Sequence, residues 1–98
     1  MIRENLLAIA ENNDVVSVTF YNDDEPIGSC KIIMSSIEDY DDEIIIRGMY
    51  NDFVIINCST LEITIDEYDI HEFIFRAGQN KIGLSFMPAL TQKNPIEY

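Results

Sequence analysis

Before Val15 the hydrophobic residues of this chain recur every third or fourth position, and from Val15 onward they recur every second. In MIRENLLAIAENND, Ile2, Leu6, Ile9 and Ala10 fall at helical spacing with Leu7 beside them. The pattern stops at Asn12-Asn13-Asp14, residues that tolerate the left-handed conformation closing a helix. One short amphipathic helix is predicted. In VVSVTFYN, Val16, Val18 and Phe20 share one face and Ser17, Thr19 and Tyr21 the other, the mark of a half-buried strand. NDDEP then interrupts, because Asn and Asp favour turns and Pro26 has no amide proton to donate.

A second strand is predicted from Ile27 to Ile37, with Gly28 near its start as a candidate bulge. The acidic run EDYDDE, Glu38 to Glu43, is the next break. Ile44 to Tyr50 reads as a third strand and Phe53 to Cys58 as a fourth, with Asn51-Asp52 as the hairpin link. Leu61, Ile63 and Ile65 alternate with Glu62, Thr64 and Asp66 in a further strand, and DEYD ends it. Ile70 to Arg76 and Lys81 to Met87 form a last hairpin around Ala77-Gly78-Gln79-Asn80. After Pro88 the periodicity is lost.

The predicted fold is therefore α+β and mainly β: one short N-terminal amphipathic helix packed on about six antiparallel strands, as a curved sheet or small barrel. Residues 1–88 are expected to form a single globular domain and 89–98 a loose C-terminal tail. Ile44-Ile45-Ile46 and Phe53-Val54-Ile55-Ile56 are apolar on both faces, which predicts central strands covered on both sides.

Charge changes the picture most. The chain has 18 Asp and Glu against 6 Lys and Arg, a formal net charge of -12. Such a field repels nucleic acid and anionic membranes, whose binding requires basic patches, and it attracts basic proteins. In an up-and-down meander, alternate turns share one end of the sheet. That places Asp23, Asp24 and Glu25 with Asp52 and with Asp66, Glu67 and Asp69, and it puts Glu38 to Glu43 at the other end beside Arg76 and Lys81. Like charges about 6.6 Å apart, the same-face spacing of a strand, repel by only roughly 0.6 kcal/mol in water. Acidic turns are thus affordable, and they also keep sheet edges from aggregating. Tyr21, Tyr50 and Tyr68 flank these turns and Tyr40 lies inside the acidic run; a tyrosine-edged acidic rim suits a partner rich in Arg and Lys, although tyrosines also simply close strand ends. The predicted partner-binding residues are Asp23, Asp24, Glu25, Asp52, Asp66, Glu67, Asp69, Tyr21, Tyr50 and Tyr68.

Catalytic chemistry is not evident. His71 is the single histidine, and in YDIHEFIF it shares a strand face with Phe73 and Phe75. Cys30 and Cys58 lie on strand-like apolar stretches and are expected as two small buried thiols without a disulfide. Asp39, Asp41 and Glu43 alternate as the first ligands of a calcium loop do, but Ile44 and Tyr50 stand where that loop needs Gly and Glu. No close pair of zinc ligands and no Gly-rich phosphate loop is present. No metal or cofactor is expected. The N-terminus carries no signal-peptide pattern and no stretch approaches about 20 apolar residues, which predicts a cytoplasmic location.

These features predict a non-enzymatic acidic binding or inhibitor protein that covers a basic surface of a partner, a nucleic-acid-processing enzyme being the type. It would act as monomer or homodimer, with no direct nucleic-acid or membrane contact, its carboxylates standing in for phosphates. In size and charge the chain resembles bacterial immunity proteins against nuclease toxins and phage inhibitors of nucleic-acid-guided defence. That likeness is one of composition. Two alternatives belong to other classes. One is a self-assembling small β-barrel module, its helix before short curved strands being similar in layout to Sm-like proteins; the other is a calcium-binding domain.

Overall fold

The computed structural model describes residues 2–65 and 70–88, with Ile65, Ile70 and His71 described by their backbone alone. Helix α1, Ile2–Glu11, has Glu4 in its first turn, where an acidic side chain complements the helix dipole. Its last carbonyls are satisfied from the predicted stop signal. The Asn12 and Asn13 side-chain amides donate to Ala8 O at 2.8 Å and Ile9 O at 2.9 Å, which leaves no reason for the helix to continue.

Seven strands follow: β1 Val15–Asn22, β2 Glu25–Asp39, β3 Glu43–Gly48, β4 Phe53–Asn57, β5 Glu62–Ile65, β6 Ile70–Ala77 and β7 Asn80–Met87. All pairings are antiparallel, in one curved, unclosed sheet of order β4-β3-β2-β1-β7-β6-β5. A single 3-10 turn, Cys58–Thr60, carries the chain from one edge of the sheet to the other. The bulge foreseen near Gly28 is present: Phe20 pairs with Gly28 and Tyr21 with Pro26, which leaves Ile27 as the extra residue.

Alternation decides the two faces. Leu6 and Ala10 of α1 are buried, and Leu6 joins Val16, Val18, Ile32, Ile44, Ile46, Val54, Ile56, Leu61, Phe73, Phe75 and Leu84 in one core. Phe73 meets Phe86 edge to face at 6.1 Å, the geometry that aromatic quadrupoles favour. No polar side chain is buried among the described residues. Each buried aliphatic or aromatic side chain contributes roughly 1.5–3 kcal/mol, so this cluster carries most of the stability.

Three expectations are corrected here. First, β4 is an edge strand, not a central one. Only Val54 and Ile56 point into the core, so Phe53 and Ile55 stay 54% and 44% exposed despite their apolarity. Second, Cys30 is an exposed thiol and Cys58 a half-buried one. Cys30 lies on the half of β2 that β3 does not reach, because β3 pairs with β2 only from Met34 onward.

Third, the turns do not distribute as in a plain meander, because β7 docks beside β1 and puts β1 mid-sheet. Tyr21 pairs with Lys81, so the β6–β7 hairpin lies beside the Asp23-Asp24 turn. Phe73 pairs with Leu84 and Leu84 with Val18, so β6 begins at the opposite, Val15 end of the sheet, where Ile70 pairs with Ile65. The β3–β4 turn joins β2 at Ile33, roughly 26 Å along that strand from Glu25 at the rise of an extended chain. The Asp23-Asp24 turn therefore lies at the opposite end of β1 and β2 from the Asp52 turn and from the ends flanking residues 66–69.

Candidate functional site

Asp23 and Asp24 both have positive φ, 51° and 70°, the two-residue turn that matches strand twist, and Asn and Asp are the residues besides Gly that accept it. Asp24 pairs with Lys81 at 3.1 Å. Tyr21, Asp23, Asp24, Arg76, Gln79 and Lys81 line one shallow depression there, so this end, expected to be purely acidic, is mixed in charge. Tyr21 donates its hydroxyl to Glu72 at 3.0 Å. Burial, and then the bond to Glu72, push the Tyr21 phenol above its ordinary value. The carboxylate fits because Gly83 leaves room: a Cβ there would meet Glu72 Oε2 at 2.1 Å and Tyr21 Cε2 at 3.0 Å.

A pH dependence follows from that raised phenol. Its contribution to stability is complete below the unfolded tyrosine value near 10 and is lost as pH rises through the higher folded value. Thermal melts from pH 9 upward should show a falling midpoint that Tyr21→Phe flattens, and Gly83→Ala, which displaces Glu72, should bring the Tyr21 ultraviolet titration back toward about pH 10. An unchanged titration in Gly83→Ala would refute the arrangement.

Glu25 pairs with Asn22 at the base of this turn, whereas Tyr50 and Asp52 are elsewhere. Tyr50, 72% exposed, and half-buried Asp52 sit in the β3–β4 turn, where Asp52 accepts from Tyr50 N at 3.4 Å and Asn51 takes a positive φ of 65°. Asp66, Glu67, Tyr68 and Asp69 lie outside the described residues, as does the side chain of His71.

The acidic run between β2 and β3 is held in one shape. Tyr40 N donates to Glu43 O at 2.8 Å and Cys58 N to Asp42 O at 3.0 Å, closing the loop on itself and on the end of β4. Arg3 reaches across from α1, donating to the Asp39 carboxylate, to Tyr40 O and, at 2.9 Å, to Asp41 O. Arg47 Nε donates to Glu38 at 2.6 Å, and Tyr40 donates its hydroxyl to the same carboxylate at 2.9 Å. Those two bonds, Arg47 first, lower the Glu38 carboxyl below its ordinary value. Partial neutralisation of this run was expected from Arg76 and Lys81; Arg3 and Arg47 provide it instead.

Beside this loop lies the outer face of β2, β3 and β4. Arg47 pairs with Phe53 and Ile45 with Ile55, so all four side chains stand on that face, and the Arg47 guanidinium sits 5.9 Å from the Phe53 ring centre. Met49 N bonds to Ile33 O at 2.9 Å, bringing two more exposed apolar residues against the same hairpin. Tyr, Met, Phe and Arg are the residues enriched in protein interfaces, and a cation over an aromatic ring is a frequent component of them.

No family model, curated protein or solved structure matches this chain.

Among the described residues no group of His, Cys, Asp and Glu side chains is placed to hold a metal ion, and no helix is long and apolar enough to cross a membrane. What the face can do chemically is dock: it presents apolar and aromatic surface, one arginine already engaged by Glu38, and a fixed array of carboxylates at its margin. Met49, Phe53, Ile55 and Arg47 were not anticipated as site residues. The signal was the apolarity of both faces of residues 44–56, which also fits a covered strand; only the strand order separates the two.

Proposed function

We propose that this chain is a small acidic binding protein that occupies a basic, nucleic-acid-binding surface of a partner protein and blocks it, without catalysis. The observation that carries this is the hydrogen-bonded Glu38–Glu43 loop beside an exposed face of Tyr40, Arg47, Phe53 and Ile55. Charge supports fast, salt-sensitive encounter, and the apolar face supports residence after desolvation. The cytoplasm, where such enzymes work, is the proposed location.

The test is capture by the tagged chain at about 50 and about 200 mM salt, followed by nucleic-acid binding assays of the captured protein. The expected result is a basic protein whose nucleic-acid binding falls on saturation with this chain. Asp41→Lys, Asp42→Lys and Glu43→Lys together should weaken capture by about tenfold or more. A partner that still binds nucleic acid normally, or no salt-sensitive partner, would overturn the proposal.

A further inference from the structure

The polar face of β1, β7 and β6 carries charges that do not satisfy one another. Arg76 stands opposite Lys81 and Lys81 opposite Tyr21, so the three side chains form one row across these strands. Two cations directly opposite each other repel. Asp24 relieves this at Lys81, which it meets at 3.1 Å, and not at Arg76. Among the described residues the Arg76 guanidinium and the carboxylates of Asp23 and Glu72 have no ion-pair partner, although all three border the depressions beside the β1–β2 and β6–β7 turns. Glu72 accepts from the neutral Tyr21 hydroxyl, which leaves its charge uncompensated.

The fold spaces these three charges. One depression, of about 220 Å³, has Arg76 and Gln79 of the β6–β7 hairpin on one side and Asp23 of the β1–β2 turn on the other. A second, of about 260 Å³, shares Tyr21, Asp24 and Lys81 with it and runs on to Ile74, Thr64 and Glu72. β7 lies between β1 and β6, which sets those two strands roughly 10 Å apart. An ammonium and a carboxylate carried on one carbon, each with a hydrogen bond of about 2.9 Å to the protein, span roughly 8–9 Å.

We propose that these joined depressions bind a free basic α-amino acid, its carboxylate on Arg76, its ammonium on Asp23 and its side-chain cation on Glu72. The aliphatic stem then lies along Ile74 and the Tyr21 ring. The site is at the other end of β2 from the Glu38–Glu43 loop and is independent of the function proposed above. Charge selects this occupant. An acidic amino acid or inorganic anion is repelled by the net charge of -12 and by Asp23 and Glu72. A plain polycation leaves Arg76 unmatched, and the terminus of a peptide offers an ammonium or a carboxylate, never both on one carbon.

The test is a titration of the full chain with L-arginine, followed by backbone amide shifts and by calorimetry. The expected result is saturable binding at one site with a Kd below about 1 mM, the shifts centred on Tyr21, Asp23 and Gln79. Agmatine, which lacks the carboxylate, and the Nα-acetylated amino acid, which lacks the ammonium, should each bind at least about tenfold more weakly. Arg76→Gln and Asp23→Asn should weaken L-arginine by at least about tenfold, and asparagine keeps the positive φ of that turn accessible. Glu72→Gln should bring L-arginine down to the affinity of L-norleucine, whereas Lys31→Gln, on β2 and outside both depressions, should change nothing. No saturable shift up to about 10 mM, equal binding of agmatine, or binding of L-glutamate as tight as that of L-arginine would overturn the proposal.

Discussion

Phe73→Ala is expected to lower the unfolding free energy by about 3–5 kcal/mol, a large part of the stability of a domain this size. Phe73 is 2% exposed, pairs with Leu84 across β6–β7, and lies edge to face with Phe86. Its ring removes about as much apolar surface from water as any residue of the core, and the packed neighbours cannot collapse fully into the space it leaves. At about 4–8 °C per kcal/mol the melting temperature should fall by at least about 12 °C. Phe53→Ala is the informative comparison. The chemical change is identical, but that ring stands half in water on the outer face, and the cost should stay near 0.5 kcal/mol. Urea denaturation of both variants, with unchanged slope, measures the difference. Equal costs would mean that the outer face is covered after all, and the proposed docking surface would be lost with it.

That comparison also marks where the sequence could be read and where it could not. The helix and its stop were legible because both are local: Leu6 and Ala10 lie four apart, and Asn12 and Asn13 cap the carbonyls immediately behind them. Strand faces were legible in β1, where Val16 and Val18 alternate with polar residues, and the bulge next to Gly28 announced itself through Pro26 and Gly28. Strand order was not. The pairing of β1 with β7 joins residues about as far apart as the chain allows, and nothing in VVSVTFYN distinguishes KIGLSF from any other alternating partner.

The candidate site inherits that difficulty. Partial neutralisation of EDYDDE follows from a meander's turn placement, but its actual counter-ions, Arg3 and Arg47, depend on Arg3 of α1 reaching the β2–β3 loop and on Arg47 facing outward. Arg3 and Asp39 are 36 positions apart, a separation over which no periodicity carries information. Lys81 was assigned to the acidic run and instead pairs with Asp24, a direct result of β7 lying next to β1. Apolarity on both faces of residues 44–46 and 53–56 fits a covered central strand and an exposed edge strand equally, and β4 is the second. Apolar residues on both faces show that something covers or will cover them, not whether it belongs to the same chain.

The hairpin that presents this face can be tested at one residue. Gly48 ends β3, and a Cβ there would meet Asp52 Oδ1 at 2.0 Å and Ile32 Cγ2 at 2.6 Å. Its φ is not positive, so space and not backbone strain requires glycine. Gly48→Val should therefore cost about 1–3 kcal/mol by overpacking, and it should displace the Asp52 carboxylate from the Tyr50 amide. Gly48→Ala in an Asp52→Ala background separates the two contacts: removing the carboxylate relieves the nearer clash and leaves only Ile32, whose methyl must still move. The double change should thus cost less than the two single changes summed, by about 0.5 kcal/mol or more. Strict additivity in the stability cycle would show that the Asp52 carboxylate does not pack against Gly48.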